Sequence, residues 1–127
     1  AASDVYKRQI PDNTGYQPID EPIAPDGPAA YFSTLPVKAI AERIQSAGLP
    51  AVVSNTAGTY VCNNLLYTLL HTAALEYPGL RGGFLHVPYA IEQLPGKPGE
   101  TFGMKLCDIA RALTCAVEAI AEHLLER

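Results

Sequence analysis

Apolar residues recur at helical spacing in three stretches of the chain. Between Pro36 and Ala47, Val37, Ile40, Ala41 and Ile44 share one face, Pro36 suits a first turn and Gly48 a C-cap, so the pattern predicts a helix. A second helix is predicted from about Cys62 to Glu76, where Leu65, Leu66, Leu69, Leu70 and Ala73 recur before Pro78-Gly79 closes the element. A third runs from about Glu100 to Leu125, with Met104, Ile109, Leu113, Val117, Ile120 and Leu124 along one side. Two short apolar runs, Ala51–Ser54 and Gly83–Val87, read as buried strands, the latter stopped by Pro88. The order is then loop, helix, strand, helix, strand, loop, helix, which implies an α/β fold with neighbouring parallel strands. Two strands make a thin sheet, and parallel strands need cover on both faces. The chain is therefore expected to form part of a larger, mostly parallel sheet flanked by helices.

Ahead of these elements lies a stretch that periodicity does not explain. Pro11 to Pro36 holds six prolines in 26 residues, among them Asn13, Gly15, Asp26 and Gly27. Such a segment is neither helix nor central strand. Ile19, Ile23, Tyr31 and Phe32 make it too apolar for simple disorder. A long ordered loop of this kind serves as a lid or binding wall, or merely as an irregular crossover covering the sheet. A second loop rich in Pro and Gly spans residues 93–99.

Composition narrows the function classes. At 127 residues the chain is one domain at most, and 48% hydrophobic against 17% charged residues is enough apolar material for a core. A net charge of −4 without a basic stretch argues against nucleic acid as a partner. No apolar run is long enough to span a bilayer, and residues 1–9 carry no apolar signal region. Three cysteines without paired spacing argue against a disulfide framework and fit a reducing cytoplasm. No Cys-x-x-Cys or His-x-x-x-His spacing suggests zinc, and Gly58 stands alone in its turn, so no phosphate loop is present. No metal or cofactor is expected.

The chemistry points to Cys62 and His86. Asn55 to Thr59 is turn chemistry centred on Gly58, and Cys62 follows where a strand should run into a helix. A cysteine in the first helical turn faces unpaired backbone N–H groups and the positive end of the dipole, both of which favour the nucleophilic thiolate. Most free cysteines, by contrast, are small buried hydrophobes. His86 closes the predicted strand Gly83–Val87, and ligands bind outside the carboxyl ends of parallel strands. Neighbouring strands would bring Cys62 and His86 to one rim, the minimum for thiol acyl transfer. His71 is expected at the core edge or surface and His123 near a helix C-terminus, while Cys107 and Cys115 read as core or groove-filling residues of the last helix.

The run Ser54-Asn-Thr-Ala-Gly-Thr-Tyr-Val-Cys-Asn63, the later Gly83-Phe-Leu-His-Val-Pro88, and the early Ile10-Pro-Asp-Asn13 with Gln17-Pro-Ile-Asp20 resemble pyroglutamyl peptidase type I. Asp26-Gly-Pro-Ala-Ala-Tyr-Phe-Ser-Thr-Leu-Pro36 is similar to that family too. The resemblance runs from Ile10 to the C-terminus, in order. It implies a cytoplasmic α/β cysteine peptidase, free of cofactors and oligomeric, that removes N-terminal pyroglutamate from peptides. The nucleophile would be Cys62 and the catalytic histidine His86. Ile10, Tyr60 and Val61 would wall or hydrogen-bond the lactam ring.

Departures from the family gather at the start. Residues 1–9 do not resemble the family's strand, and Gln9 stands where the family has an arginine, so a foreign junction is expected there. The family's orienting glutamate would fall about eleven residues before Ile10, upstream of Ala1, and the aromatic pocket loop would lie upstream as well. Residues 10–127 are accordingly expected to be the C-terminal part of one peptidase domain. A truncated, non-catalytic fragment or binding module is the competing reading, and a redox sensor built on Cys62 a third.

Overall fold

Residues 36–53 and 85–127 form one compact unit and residues 1–35 and 54–84 another. The structure, a computed structural model, describes residues 2–4, 6–8, 11 and 13–125.

In the first of these units, helix α1 (Val37–Ser46) packs against helix α3 (Leu106–Leu125). Ile40, Ala41 and Ile44 of α1 and Ile109, Ala116 and Ala119 of α3 are buried. The predicted cap is present in full. Gly48 takes φ +78° and donates its N–H to the Gln45 carbonyl at 2.9 Å, while the Leu49 N–H reaches the Ile44 carbonyl at 3.2 Å. These are the two bonds of a Schellman motif, and Leu49 is buried, as its apolar partner position requires. Arg43 adds an exposed ion pair to Glu122 at 2.6 Å and a longer one to Glu118 at 3.4 Å.

Helix α3 departs from expectation in two ways. It begins at Leu106, not near Glu100, because Gly103–Met104 form strand β6, which pairs in parallel with β5 (Tyr89–Ala90). Leu94 packs on the bare backbone of Gly103, where an added Cβ would lie 2.9 Å from its Cδ1. The predicted apolar side also misleads. Leu113, Val117 and Leu124 are exposed, and the alanines at 116 and 119 are buried instead. Side-chain size marks the larger residues as core, but small residues are what allow two helices to approach closely.

The other unit is built around α2 (Val61–Glu76), which lies against the strands β1 (Ala2–Asp4) and β4 (Ala30–Phe32). β1 pairs antiparallel with β4, and β2 (Tyr6–Arg8) with β3 (Ile19–Pro22). The proline-rich segment thus contributes two short strands as well as loop. α2 ends in a turn in which the Leu80 N–H bonds the Tyr77 carbonyl at 2.9 Å. Pro78 and Gly79, the latter at φ +99°, are the residues a type II turn asks for.

Neither predicted strand, Ala51–Ser54 or Gly83–Val87, is a strand in the structure. Apolar runs specify burial, but a strand exists only where a ladder partner exists. Among the described residues neither segment has one; Val52 is 89% exposed, and Val53, Leu85 and Val87 are exposed too. The fold is α/β, with three α-helices, a small parallel pair of strands and two antiparallel ones among the described residues.

Candidate functional site

The turn before α2 is held by its own side chains. The Ser54 hydroxyl donates to the Thr56 carbonyl at 2.8 Å, and the Gly58 N–H donates to Thr56 Oγ1 at 3.0 Å. Gly58 at φ +75° then turns the chain toward Tyr60, whose carbonyl accepts the first helical bond from the Asn64 N–H at 3.0 Å. Cys62 is the second residue of α2 and half-buried. The N-cap residue Tyr60 makes no side-chain capping bond, and the positive end of the helix dipole lies at this start. Tyr60 and Val61, expected to wall a substrate, stand exposed at the same helix start, Val61 at 77%. Asn63 on the next position is fully buried.

His86 is exposed and lies in an irregular stretch before β5, not at a strand end. It belongs to the unit of α1 and α3, whereas Tyr60, Val61 and Cys62 belong to the unit of α2. Tyr60, Val61 and Cys62 thus share one helix start, and His86 falls in the other unit. Ile10 lies outside the described residues, as does Gln9.

Cys107 corrects the sequence reading. Expected as a core or groove-filling residue, it is exposed and is the second residue of α3, the same helix position that Cys62 holds in α2. The error follows from placing the start of α3 six residues too early. Helix-start placement alone consequently does not single out Cys62, and the distinction between the two thiols must come from what surrounds them.

A cluster that periodicity hinted at but did not specify sits two turns further along α2. Tyr67, fully buried, donates its hydroxyl to the Pro28 carbonyl at 2.7 Å and stacks on His71 with ring centroids 5.9 Å apart. Tyr31 packs edge-on to Tyr67 at 5.1 Å, and its hydroxyl lies 2.9 Å from His71 Nδ1. Burial, with a smaller contribution from Tyr31, pushes the Tyr67 phenol above the usual tyrosine range. The i, i+4 spacing of Tyr67 and His71 was the available signal; their meeting with Tyr31 and Pro28 is tertiary. Close approach of the loop depends on Gly27, because an added Cβ there would collide with the Tyr67 hydroxyl.

Among the described residues, no group of three or more His, Cys, Asp or Glu side chains is arranged to hold a metal ion. No helix among them is long and apolar enough to cross a membrane.

Comparison with known proteins gives a consistent result. Residues 1–123 match the pyroglutamyl peptidase family. The pyrrolidone-carboxylate peptidase of Streptomyces coelicolor is 67% identical over 119 residues, which are 94% of this chain and 54% of the relative. That of Streptococcus pneumoniae is 54% identical over 115 residues, 91% of this chain and 53% of the relative. Among solved structures, pyroglutamyl peptidase I from Bacillus amyloliquefaciens superposes with a TM-score of 0.88 at 43% identity, covering 94% of this chain and 57% of that one. Pyrrolidone carboxyl peptidase from Thermococcus litoralis gives 0.90 at 40% identity, covering 98% and 59%. The chain spans about half the length of the curated relatives it matches. With a family match along almost its whole length and relatives of this identity, the chain belongs to the pyroglutamyl peptidase family.

Proposed function

We propose that this chain carries the nucleophile and the general base of a cysteine peptidase that removes N-terminal pyroglutamate from peptides. The observation that carries the reading is Cys62 in the first turn of α2, in a chain of this family. In the working enzyme His86 takes the Cys62 proton, and the thiolate attacks the acyl carbon of the pyroglutamyl residue. The resulting oxyanion is met by backbone N–H groups at the start of α2. His86 then returns its proton to the leaving amine, and the peptide departs. Water, deprotonated by His86, cleaves the thioester, releasing pyroglutamate and restoring the thiol. The lactam is compact and neutral, so an apolar wall with backbone hydrogen bonds is suited to it; Tyr60, Val61 and Ile10 are assigned that role. No cofactor enters this scheme. Cytoplasmic location and assembly of identical chains rest on the family resemblance alone.

The exposed Val52, Val53, Leu85 and Val87 favour a second statement about the 127 residues by themselves. Residues 10–127 are the C-terminal part of one peptidase domain, and by themselves they are poorly soluble and nearly inactive. The family match takes in residues 1–9, where two short strands run, and the reading of that segment as a foreign junction is a proposal that rests on Gln9 and its neighbours alone. Uninterrupted native coding sequence across those codons would dismiss it.

The test is hydrolysis of an L-pyroglutamyl fluorogenic amide by this chain and by the chain with its upstream gene region restored. Activity confined to the restored form, and abolished by Cys62→Ser or His86→Ala, is the expected result. No activity in the restored form would sink the peptidase assignment, and ordinary turnover by the 127 residues alone would sink the second statement.

A further inference from the structure

Gly82 is buried and held by an unusual concentration of hydrogen bonds from one short segment. Its carbonyl accepts from the Thr34 N–H at 2.9 Å, the Ser33 hydroxyl at 3.2 Å and the Thr34 hydroxyl at 3.3 Å. Its N–H donates to Thr34 Oγ1 at 2.8 Å. A carbonyl has two lone pairs, so the backbone donor takes one and the two hydroxyls share the other. Thr34 thereby engages both polar groups of a single residue. Ser33 is itself fixed, since its Oγ accepts from the Leu35 N–H at 3.3 Å.

Sterics reinforce the pin. An added Cβ on Gly82 would lie 3.1 Å from Leu70 Cδ2 and 3.2 Å from Leu69 Cδ2, so the backbone rests directly on α2. One on Gly83 would lie 2.5 Å from Ser33 Oγ and 2.6 Å from Leu35 Cδ1. A side chain would be a tight fit at Gly82 and at Gly83 would have to displace Ser33 and Leu35.

The position of this pin along the chain gives it meaning. The chain leaves the α2 unit after Leu35 and again after Phe84, immediately beyond the pinned residues on both segments. His86 follows Gly83 by three positions. We propose that Thr34, through Gly82, is a positioning residue for His86: it fixes the point on the Cys62-bearing unit from which the His86 segment departs. The inference rests on the peptidase reading above.

The experiment uses the chain with its upstream gene region restored and measures kcat, KM and the pH profile of kcat/KM on an L-pyroglutamyl amide. Thr34→Val removes the hydroxyl and keeps the shape; Thr34→Ser keeps the hydroxyl. Misplacing a catalytic group costs up to about a hundredfold, so Thr34→Val is expected to lower kcat about 10- to 100-fold. KM should stay within about twofold, since ground-state binding is untouched. The pH profile of kcat/KM should change as well, and Thr34→Ser should restore both. Wild-type kcat and pH profile in Thr34→Val, with His86→Ala inactive, would overturn the pin while leaving the peptidase reading intact. Wild-type activity in His86→Ala would overturn that reading and the pin with it. Should Thr34→Val lose its helical circular dichroism, Ser33→Ala carries the test, because it removes only one of the two shared hydroxyls. A loss in kcat of about two- to threefold at constant KM then supports the pin, and an unchanged kcat overturns it.

Discussion

Helices α1 and α2 solve different problems, and α2 is the richer in apolar residues. α1 buries Ile40, Ala41 and Ile44 on one face and presents Lys38, Glu42 and Gln45 elsewhere, and its C-terminus is closed by Gly48 and Leu49. α2 buries Leu66, Tyr67, Leu70 and Ala73, yet also exposes Val61, Leu65, Leu69 and Leu75. A helix that is apolar around its circumference is one that expects cover on every side. α1 is a finished surface helix within its unit, and α2 is a core helix with one side open. The same contrast runs along α3, where Ile109, Ala116 and Ala119 are buried while Leu106, Leu113 and Val117 are not. The open sides fit a chain that spans about half the length of its relatives.

The sharpest way to break this comparison is to truncate neighbours on α2. Leu66→Ala removes a fully buried side chain and is expected to cost about 2–5 kcal/mol in urea unfolding. Ile44→Ala should cost a similar amount from the finished helix, which shows that the buried faces are equivalent. Gly48→Ala tests the cap. Nothing lies within 4 Å of an added Cβ there, so only the backbone at φ +78° resists, at about 1–2 kcal/mol.

Tyr67→Phe deletes the bond to the Pro28 carbonyl and should cost about 1 kcal/mol at neutral pH. It also carries a pH signature. Because folding raises the Tyr67 pKa, the unfolded chain ionises first. That share of stability is complete below the ordinary tyrosine value of about 10 and is lost as pH rises past it. Tyr67→Phe should therefore flatten the alkaline decline in stability measured from pH 9 to 11; an unaltered decline would assign it to other groups. The smallest effect belongs to the open side: Leu65→Ser should change stability by no more than about 0.5 kcal/mol. A cost like that of Leu66→Ala would mean that this side is covered in solution.

Much of this was legible in the sequence, and what was not has a common cause. The caps of α1, the Gly58 turn and the limits of α2 depend on residues within a few positions of one another, so local chemistry determines them. The start of α3, the burial of Ala116 and Ala119, and the Tyr31–Tyr67–His71 cluster depend on partners far along the chain. The expected strands at Ala51–Ser54 and Gly83–Val87 failed for the same reason, since a ladder needs a second strand that apolar pattern alone cannot supply. At the candidate site, the helix-start geometry of Cys62 was readable from Gly58 and the leucines that follow. That Cys107 shares this geometry was hidden by the misplaced start of α3.

The pair Cys62 and Cys107 also supplies the most direct test of the central claim, that Cys62 is the nucleophile of a pyroglutamyl peptidase. Both occupy the second position of a helix, and Cys107 is the more exposed. The chain with its upstream region restored is treated with an L-pyroglutamyl chloromethyl ketone or with iodoacetamide, and modified cysteines are mapped by peptide mass spectrometry. The substrate-shaped reagent is expected to modify Cys62 well ahead of Cys107 and to be slowed by free L-pyroglutamate, while iodoacetamide modifies both. Modification of Cys107 first by both reagents, in the order of exposure, would contradict the claim.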